Sequence, residues 1–88
     1  MWTIEFEPEA KRDLDKLDST VRVRIFRFLY GRLAKLEDPR SIGEALRGSE
    51  LGAYWKYRVG DYRIIASIQD KKMQIAVVRA GNRREIYR

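Results

Sequence analysis

The chain has 88 residues, 44% of them hydrophobic and 11% aromatic, with a net charge of +6 and neither cysteine nor histidine. That composition describes a single globular domain, residues 1–88, with room for one modest core. It excludes a disulfide framework, a thiolate metal site and histidine acid–base chemistry, and no apolar run approaches the ~20 residues of a membrane span, so a cytoplasmic protein without metal or other cofactor is expected.

Trp2, Ile4 and Phe6 alternate with Thr3 and Glu5, the pattern of a half-buried strand. Pro8 suits a first helical position, and Ala10, Leu14 and Leu17 follow on one face, predicting a short amphipathic helix. Asp18-Ser19-Thr20 interrupts that pattern and offers N-cap groups. A second helix is predicted from about Thr20 to Glu37, with Val21, Ile25, Leu29, Leu33 and Leu36 as its apolar stripe and Asp38-Pro39 as its stop. So short a break makes the two helices an antiparallel hairpin. Residues 39–52, which include Gly43, Gly48 and Gly52, read as a connecting loop. Its Arg47-Gly48 pair suits either a close approach to a ligand or an ordinary turn.

Three β patterns follow. In the first, Ala53, Trp55, Tyr57 and Val59 share one face, and Tyr54, Lys56 and Arg58 the other. Gly60-Asp61 supplies a tight hairpin turn. The second runs from about Tyr62 to Gln69, with Tyr62, Ile64, Ala66 and Ile68 facing one way and Arg63, Ile65 and Ser67 the other. After Asp70-Lys71-Lys72 comes the third, Met73 to Ala80, apolar enough to be central, which Gly81-Asn82 is expected to break. The fold class is α+β: an N-terminal strand, a helix hairpin, then an antiparallel meander in a sheet of about four strands. Helices cover one face, and the open face carries Lys56, Arg58 and Arg63.

The charge is unevenly placed. Residues 1–38 carry eight Lys/Arg and eight Asp/Glu, whereas residues 39–88 carry eleven and five. The excess therefore lies with the sheet and points to a polyanionic partner, either nucleic acid or an acidic protein segment. Lys56, Arg63 and Arg83 come from three segments, and adjacent strands ~5 Å apart make the first two neighbours. Such a patch binds phosphate well. If the phosphate belongs to RNA, the adjacent 2′-hydroxyl is a built-in nucleophile. Cleavage then needs a base, positive charge for the transition state and an acid for the leaving 5′-oxygen, and here only tyrosine, lysine and carboxylates are available. Arginines packed beside a tyrosine favour its phenolate, which makes Tyr87 near Arg83 and Arg63 a proton-transfer candidate. Taken singly, Arg58 and Arg79 read as solvated surface charges, and Tyr54, Tyr62 and Tyr87 as packing at the core, rim or edge. Spacing alone does not choose.

Three runs carry a resemblance: Leu46-Arg47-Gly48, Trp55-Lys56-Tyr57-Arg58-Val59-Gly60-Asp61-Tyr62-Arg63-Ile64, and Ala80-Gly81-Asn82-Arg83-Arg84-Glu85-Ile86-Tyr87. With the order of elements, they resemble the RelE/ParE superfamily of toxins from type II toxin–antitoxin systems, RelE more closely than ParE. The resemblance implies a RelE-like fold and a ribosome-dependent mRNA endonuclease. It would attack with the 2′-hydroxyl and leave a 2′,3′-cyclic phosphate and a 5′-hydroxyl. Arg63 is similar to the arginine on the scissile phosphate, Arg83 to the one that stabilises the transition state, and Tyr87 to the C-terminal tyrosine of proton transfer or stacking. Lys56 matches one of two family lysines on its strand; Tyr54 replaces the other, which shifts the base assignment to Lys56 or Tyr87. Asn82 stands where many relatives have histidine. Arg47, Tyr54, Arg58 and Arg84 are the expected RNA contacts around this set. The implied partners are an acidic RelB-like antitoxin, in a hetero-oligomer with a toxin otherwise monomeric, and the ribosomal A site with its mRNA and rRNA. A ParE-like inhibitor of DNA gyrase, which cuts nothing, uses the same fold.

Overall fold

In a computed structural model, which describes residues 1–46 and 54–86, the N-terminal alternation becomes strand β1 (Thr3–Phe6), with Trp2 and Ile4 buried. Pro8 opens helix α1 (Pro8–Asp15), which buries Ala10 and Leu14. Helix α2 (Ser19–Gly31) is capped by Asp18, whose carboxylate accepts the Thr20 N–H at 3.3 Å. It stops at Gly31, short of Glu37, and Leu33–Lys35 form a 3₁₀ turn instead. Glycine is a poor helix former, and the tighter turn still buries Leu33 and Ala34. It also presents the Ala34 carbonyl to the Trp2 N–H at 2.8 Å, tying the helix end to β1.

The remaining elements are β2 (Glu44–Ala45), β3 (Tyr54–Val59), β4 (Tyr62–Gln69), β5 (Gln74–Asn82) and a short helix α3 (Arg83–Ile86). The sheet has five strands in the order β1-β5-β4-β3-β2. Strand β1 runs parallel to β5, and every other pairing is antiparallel. The fifth strand, β2, lies in the segment read as a loop, because two residues are too few to show alternation. Strand β5 sits inside the sheet, between β1 and β4, as its apolar content implied. It does not break at Gly81-Asn82: those residues pair with Arg63 and Tyr62 and stay in the ladder. Ile25, Leu29 and Leu33 pack on Tyr57, Ile64, Ile75 and Val77, all fully buried. Each such side chain contributes roughly 1.5–3 kcal/mol.

The β4–β5 ladder contains one irregularity that matters for everything downstream. Ile65 pairs with Arg79 but the next residue, Ala66, pairs with Val77, so Val78 is an extra residue in β5. Such a bulge shifts the alternation by one. Before it, Ile75 and Val77 face the helices; after it, Ala80 does. Arg79 and Gly81 therefore fall in rows with Ile65 and Arg63, on the opposite face. Pairing with β1 also ends at Val77, and α1 continues along that edge. Asp13 of α1 accepts the Ala80 N–H at 3.0 Å and the Arg79 guanidinium at 2.8 Å. Arg79 is thus a clamped side chain, not the solvated charge its sequence position suggested.

The 3₁₀ turn Pro39–Ile42 is held by Tyr57, 1% exposed, whose hydroxyl donates to the Pro39 carbonyl at 2.8 Å. Gly43 lies against the ring, and a Cβ there would stand 2.7 Å from it. Arg40 bonds Asp70 at 2.6 Å and covers the Trp55 ring at 6.0 Å. Burial pushes the Tyr57 phenol up to about 12, with Arg40 opposing and Asp38 adding. In the unfolded chain the phenol ionises near ~10. Its contribution to stability is therefore complete below that value and is lost as pH rises toward 12. Tyr57→Phe should cost roughly 1–3 kcal/mol in urea unfolding at pH 7, since the Pro39 carbonyl loses its partner. The variant should also lose less stability than the wild type between pH 10 and pH 12; parallel pH curves would show that Tyr57 does not titrate this way.

Candidate functional site

Arg58 and Arg63 are direct cross-strand partners beside the β3–β4 turn. Gly60, with φ of 61°, allows that turn to close in two residues. The Arg83 N–H donates to the Asp61 carbonyl at 3.2 Å, which pins the end of β5 to the same turn. Asn82 then starts α3 by accepting the Arg84 N–H on its side-chain oxygen at 3.1 Å. As a result Arg58, Arg63, Arg83 and Arg84 line one cavity of about 360 Å³, together with Gly60 and Asp61. Arg63 is half-buried and is steadied by a 3.3 Å bond from its Nη1 to the Tyr62 carbonyl. Among the described residues, none of the four makes an ion pair.

Two other sequence candidates, Lys56 and Tyr54, stand apart from this cavity. Lys56 shares the face of Arg58 two residues away and is paired with Glu44 at 3.8 Å. Tyr54 lies opposite Ser67 and lines a separate groove with Arg12. It is four residues from Arg58, roughly 13 Å along the strand. Arg47 and Tyr87 lie outside the described residues. Two residues that the sequence did not single out now matter. Arg24 of α2 reaches the turn, its Nη2 standing 2.8 Å from where a Gly60 Cβ would be. Asp13 fixes the strand that delivers Arg83. Arg24 lies off the apolar stripe of its helix, which marked it as surface; only the docking of α2 shows which surface.

Four guanidiniums with no ion pair among the described residues line one cavity at the end of the sheet, an arrangement chemically suited to an anion, and a guanidinium fork fits phosphate in particular. The molecule is thus a small α+β protein suited to hold a phosphorylated polyanion. The family described as the ParE toxin of the type II toxin–antitoxin system, parDE, matches residues 4–87. Toxin RelG of Mycobacterium tuberculosis is 32% identical over 87 residues, 99% of this chain and 97% of that one. The mRNA interferase toxin RelE of Escherichia coli is 31% identical over 86 residues, 96% of this chain and 87% of that one. A chain of the M. tuberculosis RelBE2 toxin–antitoxin complex superposes with a TM-score of 0.83 at 30% identity, covering 93% of this chain and 91% of that one. Isolated E. coli RelE gives 0.73 at 25% identity, covering 99% and 92%. The chain belongs to the RelE/ParE superfamily of type II toxins.

The Asp13 clamp can be tested by pH. Burial alone would raise its pKa, but the Arg79 hydrogen bond and the Ala80 N–H outweigh that and hold it below the usual carboxylate range. A depressed carboxylate contributes its stability above the unfolded value, ~3.9, and loses it as pH falls through the folded one. Asp13→Asn should therefore cost roughly 1–3 kcal/mol at pH 7 and much less at pH 3, measured by urea unfolding. An equal cost at both pH values would mean that the charge on Asp13 is not what holds β5.

Proposed function

We propose that this toxin is an endoribonuclease that cuts messenger on the ribosome and so stops translation. The observation that carries the reading is the single cavity shared by Arg63 and Arg83, with Arg58 and Arg84 beside them and no acid paired to any of the four among the described residues. The E. coli relative named an mRNA interferase supports it. Arg63 and Arg83 hold the scissile phosphate and neutralise the charge that grows on its oxygens in the pentacovalent transition state. A base removes the 2′-hydroxyl proton, the 2′-oxygen bonds to phosphorus, and the bond to the 5′-oxygen breaks. An acid returns a proton to that oxygen, leaving a 2′,3′-cyclic phosphate and a 5′-hydroxyl. Tyr87 is assigned the proton transfer on the family resemblance, and Lys56 adds positive charge or serves as the base. Arg47, Tyr54, Arg58 and Arg84 contact the messenger and the rRNA of the A site. The partner that restrains the toxin is an acidic antitoxin bound in a hetero-oligomer in the cytoplasm; the M. tuberculosis neighbour is itself part of a toxin–antitoxin complex.

The second reading, a gyrase inhibitor that cuts nothing, is favoured by the parDE description of the matching family. Expression of the chain without antitoxin in a translating extract, followed by mapping of messenger 5′ ends, separates the two. Codon-phased cuts are expected. Arg63→Ala and Arg83→Ala should each slow them roughly 10²–10³-fold, the effect of one preorganised charge donor. Intact messenger with trapped gyrase–DNA complexes would overturn the nuclease reading and support the other.

A further inference from the structure

A second cavity lies beside the arginine site, on the other side of Asn82. It has a volume of about 650 Å³ and runs between the end of α1, at Lys16 and Leu17, and the ends of β4 and β5, at Tyr62, Gly81 and Asn82. Asn82 and Arg84 line both cavities, so the two meet at these residues at the end of the sheet. Tyr62 and Asn82 are cross-strand partners, which sets the ring and the amide side by side. Asn82 spends its side-chain oxygen on the Arg84 N–H, and no described hydrogen bond uses its amide N–H groups. Tyr62 is half-buried and its hydroxyl likewise has no described partner. Lys16 makes no ion pair among the described residues, and the one acid in the wall, Asp13, is already committed to Arg79 and Ala80.

An aromatic ring, the apolar Leu17, an amide whose N–H groups have no described partner and a cation at the rim complement a nucleobase. An acidic peptide would use Lys16 and Arg84 but would gain little from the ring or the amide. We infer that this groove is a nucleotide subsite: it takes the base next to the phosphate held by the four arginines, with Tyr62 as its stacking surface and Asn82 as its reader. The inference rests on the phosphate reading of the arginine cavity. It would make Asn82 and Tyr62 determinants of which nucleotide flanks the cut.

Isotope-labelled full-length toxin, titrated and followed by amide NMR shifts, tests this directly. The probes are inorganic phosphate, each of the four ribonucleoside 3′-monophosphates, the unphosphorylated ribonucleosides and a tetraglutamate peptide. Phosphate should move Gly60, Asp61 and Arg83 only. Nucleotides should move these and also Lys16, Leu17 and Tyr62, with one base preferred. Tyr62→Leu should weaken nucleotide binding roughly tenfold, the loss of one stacked base, and leave phosphate binding unchanged. Should phosphate fail to move the arginine cavity, the phosphate reading falls, and ribonucleoside shifts at Lys16, Leu17 and Tyr62 decide the groove separately. Nucleotide and phosphate maps that coincide would overturn the subsite. So would a peptide that moves Lys16 and Leu17 more than any nucleotide does, which would make the groove a protein-docking surface.

Discussion

The site depends on one extra residue in β5 and on the carboxylate that secures it. Without the bulge at Val78, the alternation that buries Ile75 and Val77 would continue to Arg79 and Gly81 and turn them toward the helices. Burying an arginine there without a partner would cost several kcal/mol. The bulge moves the small Ala80 into the core position and returns the odd-numbered residues to the face of Arg63. Asp13 makes this arrangement affordable. It supplies the acceptor that β1 no longer offers to the Ala80 N–H, and it neutralises Arg79 where that side chain crosses the sheet edge. A helix side chain thus does the work of a missing strand, at the point where the strand must stop for a groove to exist.

Six of the arginines fall into two groups with opposite electrostatics. Arg40 and Arg79 are each forked onto carboxylates, Arg40 on Asp70 and Arg79 on Asp13. Both hold segments together, the first joining the pre-β3 loop to the β4–β5 connection and the second joining α1 to β5. Arg58, Arg63, Arg83 and Arg84 have no such partner among the described residues and face one another across a small cavity. Like charges gathered round one cavity repel, and the repulsion grows where water is thinned. A phosphate bound there, as the proposed function has it, would turn that repulsion into attraction. Asp61 lines the same cavity, but its structural role is played by its backbone carbonyl, which holds Arg83.

Much of this was legible in the sequence because it depends on local pattern. Period-two alternation placed β1, β3 and β4, and Gly60-Asp61 placed the turn, since a left-handed residue is most easily supplied by glycine. Strand adjacency suggested a group of Lys56, Arg63 and Arg83, but the register sets Arg58, not Lys56, opposite Arg63. What escaped depends on register and docking. A bulge changes nothing in composition, so Val78 looked like one more apolar strand residue, and Asp13 looked like the solvated side of an amphipathic helix. Arg79 was misread for the same reason, because its partner lies 66 positions away in the chain. Strand β2 has two residues and is defined by its partner, Glu44 opposite Lys56 and Ala45 opposite Trp55. The early end of α2 at Gly31 hid behind a stripe that the following 3₁₀ turn continues to satisfy.

The same pairing also sets how the charged groups divide their work. Glu44 stands opposite Lys56 because β2 exists, and the resulting ion pair holds the lysine about two residues short of the arginine cavity. A single surface pair of this kind contributes little to stability, so its consequence is positional. Lys56 stands outside the cavity, whose lining combines four arginines with Gly60, Asp61 and Asn82. Guanidiniums are poor proton carriers at any physiological pH, and excellent holders of a phosphate through charge build-up. On the proposed nuclease reading, two tasks are separated: charge stabilisation at the end of the sheet, and proton transfer by groups outside the cavity. A chain without histidine can do such chemistry only if that separation holds. The bulge, the Gly60 turn and the Arg83–Asp61 bond build its rigid half: the cavity that holds the charge.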